Sequence, residues 1–223
     1  MVIDRRAKRD KLQQALSNFD PYEIAKVFEL PPISPTPKNN GGNSQQGQSV
    51  SFQDSGLDWT STLTNYCDAV NAALDGEALK CYEAQSAMHS SFHTVFSSLS
   101  ENWLVPTMHI ICINTHKVAV ASDKEASKND GGKGKEAHSN LQKAVTLLQE
   151  SYSKTSNDRK EFKSGAPLDE EGSKKAGVLA IVNELFAIYF RLNTLRLCKN
   201  LLRPVESRRL HEQGNMSEMV TYR

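Results

Sequence analysis

Residues 183–207, "NELFAIYFRLNTLRLCKNLLRPVES", decide the fold class. The stretch is apolar enough to be hidden from water over much of its length. It also carries Glu184, Arg191, Arg196, Lys199 and Arg203 at intervals that no membrane span tolerates. From Ala176 to Phe190 the only strongly polar residues are Asn183 and Glu184, so about four helical turns must be contacted on most of their circumference. That describes an inner helix with neighbours on both sides, with Leu185, Phe186, Tyr189 and Phe190 as expected core. A turn at Asn193-Thr194 leads to a narrower apolar face of Leu195, Leu197, Cys198, Leu201 and Leu202, and Pro204 is expected to stop this second helix. Inner helix, short turn, outer amphipathic helix is the unit of an α-solenoid.

Working towards the N-terminus, the same period recurs. Leu141, Ala144, Val145, Leu148 and Tyr152 give one face to a helix over 136–155. Before it the charged run 124–135, "KEASKNDGGKGK", reads as a loop. A helix beginning near Glu101 carries Trp103, another expected core residue, with Pro106 near its first turn, where a missing N–H costs least. Two stripes, Trp59 to Leu74 and Leu79 to Leu99, flank Asp75-Gly76 and predict antiparallel helices joined by a tight turn. No repeat of fixed length is visible, and no alternation of period two predicts a sheet.

Three segments follow from composition. Residues 57–223 form the helical-repeat part. Residues 31–56, rich in Pro, Asn, Gly, Ser and Gln, cannot bury enough surface to offset their ordering entropy and read as a flexible linker. Residues 1–30 hold short helices with small apolar faces at Leu12, Ala15, Leu16 and Phe19, then Ile24, Val27 and Phe28, and are expected to be tethered rather than integral.

Charge is balanced, with 27 Lys and Arg against 26 Asp and Glu, so nucleic acid or anionic membrane can be recruited only by a local patch. The N-terminus lacks the apolar core of a signal peptide, and no apolar run is long enough to span a bilayer. Cys67, Cys81, Cys112 and Cys198 are widely spaced within helical patterns and read as buried thiols in a reducing compartment.

Motifs for chemistry are weak. His89 and His93 stand four apart, as two ligands on one helix can, but no third ligand has a defined spacing, and they read as surface or interface histidines. His109 and His116 read as satisfied core or groove residues. The glycine run at 129–136 lacks phosphate-loop spacing and reads as a mobile loop. Neither a catalytic residue, a metal site nor a cofactor is expected. The candidate partner-binding feature is a basic ridge of Arg196, Lys199, Arg203, Arg208 and Arg209. It is either a plain solvated face or a surface for an acidic segment or RNA phosphate, with no interleaved aromatics for stacking. Arg5, Arg6, Lys8, Arg9 and Lys11 form a second basic run, interrupted by Asp10 and preceded by Asp4; it reads equally as a nuclear-localisation or nucleic-acid patch and as a charged helix.

Residues 102–125 and 173–207, with "VTYR" at the end, carry Trp103-x-x-Pro106, then Leu-Phe-x-x-Tyr-Phe-x-Leu running into Leu-Cys-Lys-x-Leu-x-Arg. In this the chain resembles the family of PCI domain-containing protein 2, which includes the PCI subunit of the TREX-2 mRNA-export complex and relatives associated with the COP9 signalosome. The resemblance spans roughly residues 57–223. It implies an all-α, tetratricopeptide-like stack of helix pairs, truncated here before the winged helix in which family members end. It further implies a non-enzymatic nuclear scaffold, present in the cytoplasm as well in a second reading. The implied partners are a Sac3/GANP-type scaffold subunit and a small acidic Sem-type subunit, with RNA or DNA binding mainly through the part beyond this sequence, and no membrane. Alternatives are a signalosome-associated subunit or an unrelated helical adaptor, with a helical enzyme as the outsider.

Overall fold

The computed structural model describes residues 4–18, 20–34, 53–54, 57–99, 102–129, 138–160 and 172–207. Their helices are α1 (Arg5–Ser17), α2 (Pro21–Val27), α3 (Thr60–Asp75), α4 (Ala78–Ser98), α5 (Val105–Asn129), α6 (Ser139–Ser156), α7 (Val178–Arg191) and α8 (Leu195–Ser207). Each helix from α3 onward packs on the next. Contacts of α4 with α6 and of α5 with α7 tie successive pairs together, giving an all-α stack of antiparallel helix pairs.

Local chemistry explains the turns. Gly76 ends α3 at φ 79°, with Glu77 N–H donating to Ala72 O and Gly76 N–H to Ala73 O, the two bonds of a Schellman motif. Asn193 does the same after α7 at φ 53°, where Thr194 N–H reaches Tyr189 O at 2.9 Å and Asn193 N–H reaches Phe190 O at 3.2 Å. At the start of α7, Gly177 passes so close to α5 that a Cβ there would lie 2.6 Å from Val105 Cγ1.

Four expectations are corrected. The N-terminal helices are not tethered. Asp4 and Asp20 cap α1 and α2 by accepting from the first-turn N–H groups, and Leu12, Leu16, Ile24 and Phe28 enter the main core. Phe28 is fully buried, stacked 6.1 Å from Trp59 and edge-on to Tyr66 at 5.3 Å. Its carbonyl accepts from Asn114 Nδ2 at 2.8 Å. The ring docks together with the fully buried Leu12 and Ile24.

The run 124–129 is not loop but the last turns of α5. It contains strong helix formers and precedes the first glycine, Gly131. Its approach to α6 is held by Asp123, whose two carboxylate oxygens accept the N–H groups of Asn140 and Leu141, each at 3.0 Å. Pro204, expected to stop α8, lies inside it. The next residue, Val205, is wholly buried against Val178 and Val182, and this contact carries the helix past the missing N–H. Phe190, expected in the core, is 63% exposed. Helical spacing puts it on the Asn183 side of α7, away from Leu185, Ile188 and Tyr189, so only the first turns of α7 are enclosed all round.

A two-residue antiparallel ladder pairs Gln53 with Asp58 and Asp54 with Leu57, too short to leave an alternating pattern. The remainder of the expected linker, 35–52 and 55–56, lies outside the described residues, as does Phe19.

A buried cation joins the C-terminal pair to α4. Lys174, in the 3₁₀ turn Lys174–Gly177, is 7% exposed and donates to Phe96 O at 2.5 Å and Leu99 O at 2.6 Å, carbonyls that the end of α4 would otherwise leave open. Its ammonium also lies 4.4 Å from the Phe96 ring centre. Lys174→Met, which keeps most of the volume, is expected to cost about 3 kcal/mol because both carbonyls lose a charge-assisted donor. A urea midpoint equal to that of the parent chain would refute the pin.

Candidate interaction surface

Helix α8 rests on α7 through Cys198 and Val205, with Leu201 and Leu202 half-buried. Turned outward are Arg196, Lys199, Asn200 and Arg203, a contiguous stripe at helical spacing. Among the described residues no acidic side chain pairs with Arg191, Arg196, Lys199 or Arg203. Arg208 and Arg209, the rest of the expected ridge, lie outside the described residues. Beside the stripe, Leu195 is 53% and Leu197 38% exposed, and Phe190 stands exposed just before the turn. The corner of α7 and α8 thus presents cations and large apolar side chains together. The basic half was legible in the sequence. The apolar half was missed, because those residues had been assigned to the interior.

The other candidates are occupied by the fold. Arg5 pairs with Asp68 at 2.6 Å and Arg9 with Asp10 at 3.0 Å. Lys8 donates to Val27 O and to the Tyr66 hydroxyl, and its pKa is lowered by burial and by neighbouring Lys11. A groove of about 490 Å³ between α1 and α2 is lined by Lys8, Lys11, Lys26 and Glu23. There Lys26 is held by Glu23, and Lys8 is bonded to neutral oxygens.

His89 and His93, expected at a surface or interface, are buried. Every ring nitrogen of His89 has a protein partner: Nδ1 lies 2.9 Å from Thr115 Oγ1 and Nε2 lies 2.8 Å from Ser151 Oγ. Among the described residues no group of three or more His, Cys, Asp and Glu could hold a metal ion. His116 Nδ1 pairs with Glu184 Oε2 at 2.7 Å, linking α5 to α7. His109 is mostly buried, which lowers its pKa, with Glu184 opposing the shift. Burial pushes the thiol of Cys67 up to about 11 and those of Cys81 and Cys112 up to about 12, so they stay protonated and unreactive at neutral pH. Beyond Asn129, the glycine run lies outside the described residues.

No helix of the described residues is long and apolar enough to cross a membrane. The fold and its free corner together define a stack of helix pairs that exposes cations and large apolar side chains at one end.

Comparison with known proteins gives the family. PCI domain-containing protein 2 of Xenopus laevis is 33% identical over 156 residues, covering 69% of this chain and 36% of the relative. Its namesake in Danio rerio is 31% identical over 153 residues, 68% of this chain and 36% of the relative. The protein CSN12 homolog of Mycosarcoma maydis is 28% identical over 167 residues, 68% of this chain and 35% of the relative. The chain belongs to the PCI family of these proteins, and it spans about a third of the length of the curated relatives it matches. No protein-family model matches it, and no solved structure does.

Proposed function

We propose that the chain is a helical scaffold segment of a TREX-2-type PCI protein, coupling transcription to nuclear mRNA export by binding other proteins and catalysing nothing itself. The observation that carries this reading is the corner of α7 and α8, where Arg196, Lys199 and Arg203 stand without acidic partners among the described residues, beside exposed Phe190, Leu195 and Leu197. Such a surface fits a partner segment that combines carboxylates with apolar anchors, since cations give orientation and on-rate while buried apolar side chains give most of the affinity. The proposed partners are a Sac3/GANP-type scaffold subunit and a small acidic Sem-type subunit, in the nucleus. RNA or DNA contact would fall mainly to parts of the protein beyond this segment.

A signalosome-associated role is the second reading, favoured by the similarity to a protein CSN12 homolog over 68% of this chain. The test is capture from nuclear extract with tagged chain and with Arg196→Glu/Lys199→Glu/Arg203→Glu. All three side chains are exposed, so the triple variant should keep its helicity. Capture of mRNA-export subunits is expected to fall at least about tenfold, in line with the loss of several rim and core charges from an interface. Undiminished capture by the triple variant would remove the ridge from the interface. Signalosome subunits in its place would select the second reading.

A further inference from the structure

Ser151 on α6 stands between two histidines of α4, its Oγ 2.8 Å from His89 Nε2 and 2.7 Å from His93 Nε2. A serine hydroxyl has one proton, so it can donate to only one of them. On the far side of His93, Nδ1 faces Glu150 Oε2 at 3.3 Å, within ion-pair distance but not in hydrogen-bond geometry, and the carboxylate favours a proton on Nδ1, with Nε2 accepting from Ser151. Ser151 Oγ then accepts from His89 Nε2–H, and the bare His89 Nδ1 accepts from the Thr115 hydroxyl at 2.9 Å. Thr115 Oγ1 in turn accepts from Gln85 Nε2 at 3.2 Å. The Thr115 hydroxyl has a second acceptor in Ile111 O at 2.8 Å; when it serves His89, the donors run in one direction, from Gln85 inside the stack to Glu150 at its edge.

A second setting exists. Ser151 Oγ is also 3.1 Å from Leu147 O, one turn back on its own helix. Taking one proton from water at His93 Nε2 requires only that Ser151 turn its hydroxyl to Leu147 O and accept from both histidines. We propose that this junction of α4, α5 and α6 is a one-proton switch, in which His93 takes the proton, the Ser151 hydroxyl reverses, and Glu150 is drawn from Lys154 towards the new imidazolium.

The groups facing the pair bear this out chemically. From α6 come Glu150, which favours the charged form of His93, and Lys154, which opposes it and lies 3.6 Å from Glu150 Oε1. From α5 come neutral Cys112 and Thr115. One turn further along α4, Lys174 sits on Phe96. Helix α3 meets α4 on the other side, through Thr62 and Ser91. His89, enclosed entirely, is held neutral by burial and then by the charge of His93, so the second proton is refused. His93 is lowered by burial as its largest cause. With both folded-state values below the ordinary 6.5, the unfolded chain binds protons that the folded chain resists. Stability is therefore full above that pH and falls as the solution is acidified through it.

The experiment is a ¹⁵N-histidine NMR titration of the full chain and of two variants at half-exposed or partly exposed positions, Glu150→Gln and Lys154→Met. At mildly alkaline pH, His89 is expected as the Nε2–H tautomer and His93 as the Nδ1–H tautomer. On acidification His93 should titrate before His89. Its midpoint should move to lower pH in Glu150→Gln and to higher pH in Lys154→Met. The same tautomer at both rings, His89 titrating first, or a midpoint insensitive to both variants would each overturn the switch.

Discussion

Leu185→Asp should abolish the folding of α7 and α8. Leu185 is wholly enclosed, and it belongs to the same core as residues of α5 and α6. An aspartate there would be buried without a designed partner. The nearest acid on the helix, Glu184, already holds His116 at 2.7 Å. The carboxylate must stay charged in an apolar site, take up a proton, or open the helix to water. Each route costs several kcal/mol, and with the lost packing the total is expected to reach about 5 kcal/mol. Helicity measured by far-UV circular dichroism should fall by the share of the C-terminal pair, and the remaining transition should move to lower urea. Leu185→Met, which conserves volume, should cost under about 1.5 kcal/mol and controls for the site itself. A Leu185→Asp chain that melts like its parent would mean that α7 is not enclosed.

Phe28→Ala should destabilise the whole stack, not only the N-terminal helices. The ring fills a site formed with Trp59 and Tyr66 of the α3 region and Phe92 of α4, at centroid distances of 5.3 to 6.3 Å. Truncation leaves a cavity among side chains that cannot collapse into it, and about 3–5 kcal/mol is expected. Two bonds near Phe28 would loosen with it: Asn114 Nδ2 to Phe28 O, and the Tyr66 hydroxyl to Glu29 O at 2.6 Å. Tyr22, in the helix that Phe28 ends but 63% exposed, supplies the contrast, since Tyr22→Ala should stay within about 0.5 kcal/mol. If Phe28→Ala left the global urea transition in place, α1 and α2 would be an attached arm after all.

These two sites show where pattern reading succeeds and where it stops. Leu185 lies in a run with almost no polar residues, and such a run has few soluble solutions other than an enclosed helix. Phe28 caps the end of a seven-residue helix with a small apolar face, too short for periodicity to reveal whether it docks or dangles. Lys174 gave no signal at all, because a Lys-Lys pair ordinarily reads as surface charge, and its burial depends on carbonyls of residues 96 and 99. The corner of α7 and α8 was half legible. Charges at a helical spacing announce an outward face, while exposed Phe190 was mistaken for core because average apolarity does not say on which side a helix runs out of neighbours.

The amino-acid sequence by itself determined the all-α class, the helix pairs from α3 to α8, most of their turns, and the family to which the chain belongs. Those features rest on local periods, caps and contiguous motifs, which are properties of neighbouring residues. Only the tertiary structure decided that the N-terminal helices are integral, that α5 continues past Lys124, that α8 continues through Pro204, and that His89 and His93 share one serine on another helix. Except for the continuation of α5, which its own helix formers favour, each of these depends on a contact between residues far apart in the chain, and such contacts leave no period in the sequence to read.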